Sequence, residues 1–322
     1  MKAMVYERYG QPEVLELREI DPPPLTDDGV LVHVRAASVN PFDWHMLTGT
    51  PYLARLQAGL RKPKSQVLGV DFAGTVEAVG KDVTAFQPGD DVYGGKGGAF
   101  GEYVCVRKSV SHKPANLSFE EAAAVPMAAI TALQALRDKG RVQAGQKVLV
   151  NGASGGVGTF AVQLAKSFGA EVTGVCSTRN VETVRALGAD HVIDYTTEDF
   201  TRSGGSVDVL VDIAGNHSWS EVKRVLSEDA TMIVVGGRKT NRWIGPMGDA
   251  VGRRLASIPG RRTVAAPFLA QLNKEDLDVL RELLEAGKVK PVIESRYELR
   301  DVPEALRYVG AGHAKGKVVV SV

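Results

Sequence analysis

The sequence predicts an α/β protein of two domains, a small and mostly antiparallel barrel or sandwich followed by a doubly wound parallel sheet. Three observations predict it. Residues 1–115 are short alternating runs cut by Gly and Pro. From about residue 119, apolar strands alternate with segments of helical period. The last six residues, "KVVVSV", return to the β rhythm of the start, so the tail is expected to rejoin the first domain. A chain of 322 residues with 44% hydrophobic content is large enough for two cores.

Each element has its own signal. "VLVHVRAASV" (30–39) alternates with a period near two, as do "FAGTVEAVG" (72–80) and "FGEYVCV" (100–106). "DPPPLTDDG" (21–29) and "FQPGDDVYGGKGG" (86–98) are turn-rich separators. "KVLVNG" (147–152) is a short apolar strand, after which Val157, Phe160, Ala161, Leu164, Ala165 and Phe168 follow helical spacing up to Gly169. "EVTGVCS" (171–177) is the next strand, and "NVETVRALG" (180–188) a helix closed by Gly188. "HVIDY", "VDVLVDIAG" and "ATMIVVGG" are three further strands. A Gly- and Arg-rich insertion (236–262), in which Arg238 and Lys239 read as solvated charges, precedes "TVAA" and an amphipathic helix over 274–286.

Composition excludes several classes. Net charge is +1, so no nucleic-acid or membrane partner is expected. Cys105 and Cys176 are far apart and form no CxxC, which fits a reducing, cytoplasmic setting better than a disulfide framework. "MKAMVYERYG" has no apolar core of a signal peptide, and no run of about 18 apolar residues occurs.

The chemistry-bearing signal is "NGASGGVG" (151–158). Ala153, Gly155 and Gly158 occupy the three glycine positions of a dinucleotide-binding GxGxxG turn, with a strand before and a helix after. Gly155 lets the backbone approach a pyrophosphate, and Gly158 lets helix and sheet pack closely. Amides at a helix start favour phosphate, which nominates Ala153, Ser154, Gly155, Gly156 and Val157. A tight strand–helix turn without a ligand is the alternative. At the end of the next strand, an NAD site usually carries Asp or Glu for the ribose hydroxyls; here the residues are Cys176, Ser177, Thr178 and Arg179. Two hydroxyls and a guanidinium suit a 2′-phosphate, so NADPH is expected rather than NADH. Arg179 also reads as a solvated residue at the next helix start. Loops at the carboxyl ends of parallel strands nominate Asn216, Gly236 and Gly237 as further cofactor contacts.

"SVNPFDWHMLTG" (38–49), "LGVDFAGTVEAVG" (68–80), "GGAFGEYVCV" (97–106), "AAAVPMAAITAL" (122–133), the glycine turn and "GKVVVSV" (316–322) together carry a resemblance. Over essentially its whole length the chain resembles the medium-chain dehydrogenase/reductase superfamily, and within it the zinc-free quinone oxidoreductase, or zeta-crystallin-like, branch. The resemblance implies a GroES-like β-barrel catalytic domain (1–118 with 287–322), a Rossmann NADPH-binding domain (119–286), catalysis in the cleft between them, and a homodimer. The zinc-ligand positions of the zinc-dependent relatives fall on Asn40, Val70 and Met127, so no metal is expected.

The resemblance further implies hydride transfer from NADPH to a small-molecule quinone or α,β-unsaturated carbonyl. It places Asn40 near nicotinamide and substrate, and puts two aromatic donor positions on His45 and Tyr52, the catalytic candidates. It also places Thr131 near the nicotinamide, Tyr195 beside the 2′-phosphate and Lys317 on the pyrophosphate; a family lysine near the 2′-phosphate falls on Val181. Read as residues alone, Asn40 is also a turn residue before Pro41, Tyr52 a packing tyrosine, and Asp43 a structural hydrogen-bonding group. "ARLQAGLRKPKSQ" (54–66) reads as a lip over a cleft or as a plain surface helix. Two other functions stay open: a zinc-free alcohol dehydrogenase, and an NADPH-binding structural or regulatory protein with little turnover.

Overall fold

The structure is a computed structural model and describes residues 1–237, 243, 246–257, 261–312 and 314–322. Arg238 and Lys239 lie outside the described residues. In the first unit, β1 (Lys2–Val5) and β2 (Glu16–Glu19) form an antiparallel ribbon. β3 (Val30–Val39) buries Val30, Val32 and Val34 in alternation, then both faces from Ala36 onward. α1 (Pro41–Thr48) starts on a proline and stops at Gly49, whose φ of 60° is left-handed. α2 (Arg55–Ala58) is a single turn. β4 (Asp71–Val79), β5 (Asp91–Gly95), β6 (Tyr103–Val106) and β7 (Val110–His112) complete the first run of strands.

α3 (Phe119–Ala123) is capped by Ser118, whose Oγ accepts from the Glu121 N–H while Glu121 Oε2 accepts from the Ser118 N–H. α4 (Pro126–Gln134) follows. The middle of the chain then alternates: β8 (Lys147–Asn151), α5 (Gly156–Ser167), β9 (Glu171–Cys176), α6 (Val181–Ala186), β10 (His191–Asp194), β11 (Val207–Asp212), α7 (Trp219–Val222), β12 (Leu226–Val234), α8 (Pro246–Ser257) and β13 (Thr263–Val264). It closes with α9 (Lys274–Glu285), β14 (Ile293–Glu298), α10 (Val302–Ala311) and β15 (Lys317–Ser321).

β3 organises the first unit. One of its edges carries β4; the other carries β6 along residues 30–33 and β15 along residues 36–39. The tail thus does rejoin the first unit. The core includes Leu47, Phe72, Phe100, Leu306 and Val318. The second unit is a parallel sheet in the order β10-β9-β8-β11-β12-β13. β8 is followed by β9 and β10 on one side and by β11, β12 and β13 on the other. That reversal is the doubly wound topology, with its switch point between the ends of β8 and β11.

The unit boundaries differ from the expected 119–286. The first unit comprises Met1–Ile130, Gln271–Gly287 and Pro291–Val322; the second comprises Thr131–Ala270 and Lys288–Lys290. α3 packs on β3, β4 and β15, all strands of the first unit. α9 packs on β7; Tyr93 Oη of the neighbouring β5 donates to the Leu277 carbonyl at 2.6 Å, and Asn116 Nδ2, in the loop after β7, to the Leu284 carbonyl at 2.9 Å. Both helices are amphipathic, and their period does not encode which sheet their apolar face meets.

Candidate active site

Two clusters, one in each unit, hold the residues nominated by the sequence. In the second unit, Gly152 adopts a φ of 94° and starts the turn, and Gly155 caps α5. A Cβ on Gly158 would lie 2.1 Å from the Gly152 carbonyl oxygen, so this glycine is fixed by the turn itself. A Cβ on Gly155 would meet nothing closer than that same oxygen at 3.5 Å, which leaves clearance for a ligand. Ala153 does not match its expected role. It is fully buried, and its N–H donates to the Val175 carbonyl at 3.0 Å, so it holds the turn to β9. The first-turn amides of α5, including those of Gly156 and Val157, have no intrahelical acceptor and point out of the helix start.

At the switch point, Asn151 and Asp212 are register partners. Asn151 Nδ2 donates to Asp212 Oδ1 at 2.8 Å and to Asn216 Oδ1 at 3.0 Å. Asp212 also accepts from the Gly215 N–H at 2.9 Å and from Arg253 at 3.0 Å. Asp212 and Arg253 are both buried, so this ion pair rigidifies the crevice floor. The sequence reading missed both; an acid closing the apolar strand "VDVLVD" was the available signal. Gly236 and Gly237 lie against this loop: a Cβ on Gly236 would be 2.1 Å from the Ile213 carbonyl oxygen, and one on Gly215 would be 2.4 Å from the Gly237 Cα.

The end of β9 is tied to the turn by Asn180, whose Nδ2 donates to Ser154 Oγ and Ser177 Oγ, both at 3.1 Å. Arg179 is exposed and makes no hydrogen bond or ion pair among the described residues. Tyr195 is exposed too, and its N–H donates to the Cys176 carbonyl at 3.0 Å, which sets it beside Ser177. Thr178 is less free than expected. Thr196 Oγ1 donates to Asp194 Oδ1 at 2.7 Å, and the Thr178 hydroxyl, 2.8 Å from Thr196 Oγ1, is drawn into the same cluster. Hydrogen bonds from Thr178 and Thr196 hold the Asp194 carboxyl below the usual carboxylate range. An acid is therefore present near the strand ends after all, supplied by β10 instead of β9. Thr131 is half-buried on α4.

In the first unit, Asn40 is 3% exposed and fully engaged. Its Oδ1 accepts from Lys317 Nζ at 2.6 Å, and its Nδ2 donates to Asp71 Oδ2 at 2.9 Å. Asp71, with no exposed surface, accepts also from Ser38 Oγ at 2.9 Å, from Lys317 Nζ at 3.3 Å and, at Oδ1, from the Met127 N–H at 2.9 Å. Lys317, expected on a cofactor pyrophosphate, thus has its ammonium bound to Asn40 and Asp71 inside the unit. Asp43 makes the structural contact expected of it: its Oδ2 accepts from the Asn40 N–H at 2.8 Å. Its Oδ1 is buried without a partner among the described residues. Burial, reinforced by the nearby Asp71 carboxylate, pushes the Asp43 carboxyl up to about 7 against the opposing pull of the Asn40 hydrogen bond and the Lys317 ammonium.

His45 and Tyr52 lie on the following segment. The His45 Nδ1 is 2.6 Å from the Thr50 carbonyl oxygen, so Nδ1 carries a hydrogen and a neutral His45 presents Nε2 only as an acceptor. Acting as a proton donor through Nε2 requires the imidazolium. Tyr52 has the Arg55 guanidinium over its ring at 4.8 Å.

Zinc does not fit this donor set. The Asn40 carboxamide is committed to an ammonium, Val70 has no donor, and Met127 offers a thioether only. Among the described residues, no group of three or more His, Cys, Asp or Glu could hold a metal ion.

Residues 26–115 match the family described as "Alcohol dehydrogenase GroES-like domain", and residues 187–320 the one described as "Zinc-binding dehydrogenase". The mitochondrial NAD(P)H oxidoreductase RTN4IP1 of Mus musculus is 36% identical over 365 residues, which span 100% of this chain and 89% of its own length. The chloroplastic NADPH-dependent alkenal/one oxidoreductase of Arabidopsis thaliana is 34% identical over 99% of this chain and 79% of its own length. The solved quinone oxidoreductase from Coxiella burnetii superposes with a TM-score of 0.88 at 32% identity, covering 100% of this chain and 99% of that one.

Proposed function

The chain belongs to the quinone oxidoreductase branch of the medium-chain dehydrogenase/reductase family, and from that premise we propose that it binds NADPH and passes hydride to a quinone or an α,β-unsaturated carbonyl. The observation that carries the reading is the start of α5 beside the β8/β11 switch point, where open amides and the clearance above Gly155 meet the Asn151–Asp212 floor. The similar proteins from Coxiella and Arabidopsis, named for quinones and for alkenals or enones, support the two acceptor classes.

NADPH, when bound, supplies the hydride. The amides of Gly156 and Val157 hold the pyrophosphate, with the helix dipole behind them. Arg179 and Ser177 take the 2′-phosphate, with Tyr195 alongside and the Asp194 carboxylate limiting the preference. Lys317 and Asp71 fix the Asn40 carboxamide, which acts as a positioning group. A conjugated acceptor spreads the developing charge onto a distant oxygen, so a hydrogen-bond donor and a later proton suffice. Similar proteins include organellar ones, so a cytoplasmic location is tested by fractionation and the homodimer by sedimentation.

The test is the dissociation constants of NADPH and NADH for wild type, Arg179→Ala and Arg179→Asp at one ionic strength. A charge-assisted hydrogen bond contributes roughly 1.5–3 kcal/mol, and an exposed guanidinium sits at the lower end, so Arg179→Ala should weaken NADPH about tenfold and leave NADH unmoved. Wild-type preference for NADH, or an unchanged ratio in both variants, would refute the NADPH reading.

A further inference from the structure

The stretch between Asp43 and Asp71 contains no acidic residue, yet it holds Arg55, Arg61, Lys62 and Lys64. In a chain of net charge +1 this is a local excess that the overall balance conceals. Its amphipathicity is also inverted. Arg55 is drawn inward: its guanidinium lies over the Tyr9 ring at 4.5 Å and the Tyr52 ring at 4.8 Å, and its Nε donates to the Gly49 carbonyl at 2.9 Å. Tyr9 Oη donates to the Gly59 carbonyl at 2.6 Å, and the Lys64 N–H to the Ala58 carbonyl at 2.8 Å. These bonds pin the backbone of the segment with its leucines outward: Leu53 is 42% exposed, Leu56 63% and Leu60 68%. Arg61, Lys62 and Lys64 are exposed and make no ion pair among the described residues.

We propose that residues 53–64 form a docking element for an anionic lipid surface, with Leu53, Leu56 and Leu60 entering the headgroup–acyl boundary and Arg61, Lys62 and Lys64 facing the headgroups. Charge selects the occupant. Two copies meeting across a two-fold axis through this patch would set cations against cations. A small neutral substrate gives no use for three unpaired cations, and a nucleic acid gives none for three leucines, since its bases call for aromatic platforms. Apolar side chains interleaved with cations are the composition of interfacial binding. The proposal replaces the expectation, drawn from net charge alone, of no membrane partner, and it does not depend on the identity of the reaction.

The experiment is co-sedimentation of the full chain with vesicles of phosphatidylcholine alone and of phosphatidylcholine mixed with phosphatidylglycerol, at low and high salt. Binding is expected to the mixed vesicles only, and to fall with salt. Each cation near an anionic surface contributes about fivefold, so Arg61→Ala/Lys62→Ala/Lys64→Ala together should lower partitioning on the order of a hundredfold. Leu56→Ser/Leu60→Ser should lower it on the order of a hundredfold with every charge intact. Lys223→Ala/Arg224→Ala, which removes two exposed cations of the second unit, should leave it unchanged. Wild type that ignores anionic vesicles at low salt overturns the proposal without any variant. So does binding that the leucine variant retains in full, which would mark plain charge attraction, or binding lost equally in the control.

Discussion

Replacing Asp43 by Asn should make the first unit more stable relative to wild type as pH rises. The buried carboxyl titrates at about 7 in the folded protein against 3.8 for the free group. Between those two values the folded chain holds a proton that the unfolded chain has released. Stability therefore falls with increasing pH across that window and stays reduced above it. A shift of about three units corresponds to a total on the order of 4 kcal/mol, lost at about 1.4 kcal/mol per pH unit in mid-window. An Asn carbonyl keeps the acceptor for the Asn40 N–H and has no proton to lose. The two proteins should thus be closely matched near pH 4, and Asp43→Asn should be ahead by a few kcal/mol at pH 8. Urea unfolding followed by Trp44, on the next residue of α1, reads this unit when Trp219 and Trp243 are Phe in both proteins. A stability difference that stays flat from pH 5 to pH 8 would show that the Asp43 carboxyl is ionised throughout and that its burial is compensated by groups other than those named here.

The glycines should separate by role. Gly158→Ala forces its methyl onto the Gly152 carbonyl and should cost about 3 kcal/mol of stability by thermal unfolding, whereas Gly155→Ala, with 3.5 Å of clearance, should melt like wild type but bind NADPH at least tenfold more weakly. Asp212→Asn leaves the Arg253 guanidinium buried without its counter-charge and should destabilise the second unit by about 3–5 kcal/mol in urea. Asp194→Asn should tighten NADPH by a few-fold and leave NADH unchanged, measured by titration calorimetry. Prolonged chelation should leave NADPH oxidation by quinones unaltered; loss of rate restored by zinc would contradict the donor set at Asn40, Val70 and Met127.

The parts legible in the sequence were those with a short-range signature. The glycine turn announced itself because its constraints act within eight residues, and the parallel strands because their apolar runs are bounded by turns. The cluster around Asn40 has no such signature. Lys317 is 246 residues from Asp71 in sequence, and only sheet register brings them together: Ser38 lies opposite Asp71 on β4, and Val39 opposite Val318 on β15. A lysine opening a terminal strand and an acid opening an internal one look unremarkable until β3 is seen to pair with both. The same blindness explains the displaced domain boundary, since the apolar stripe of α9 states that it is covered but not by which sheet. The anion supplied by β10 escaped notice because the fingerprint looks along one strand, whereas Asp194 reaches the end of β9 sideways, as the register partner of Cys176.

This arrangement redistributes the chemical roles that residue type alone suggested. The Asn40 amide has both its oxygen and one N–H committed, with the other directed toward the Ser38 carbonyl at 3.4 Å, so little of it is left to donate to a substrate. A neutral His45 spends its hydrogen on Thr50. The cluster that holds Asn40 contains one ammonium and one carboxylate, and is neutral when Asp43 is protonated. On the proposed reading, an uncharged quinone or enone bound beside it would bring no net charge to be offset. Charge arrives only with the hydride, as the acceptor oxygen becomes anionic. The proton for that oxygen has to come from a group that already carries one, which Nε2 of a neutral His45 does not, while Lys317, Asp71 and Asn40 contribute a rigid frame whose charges cancel when Asp43 is protonated.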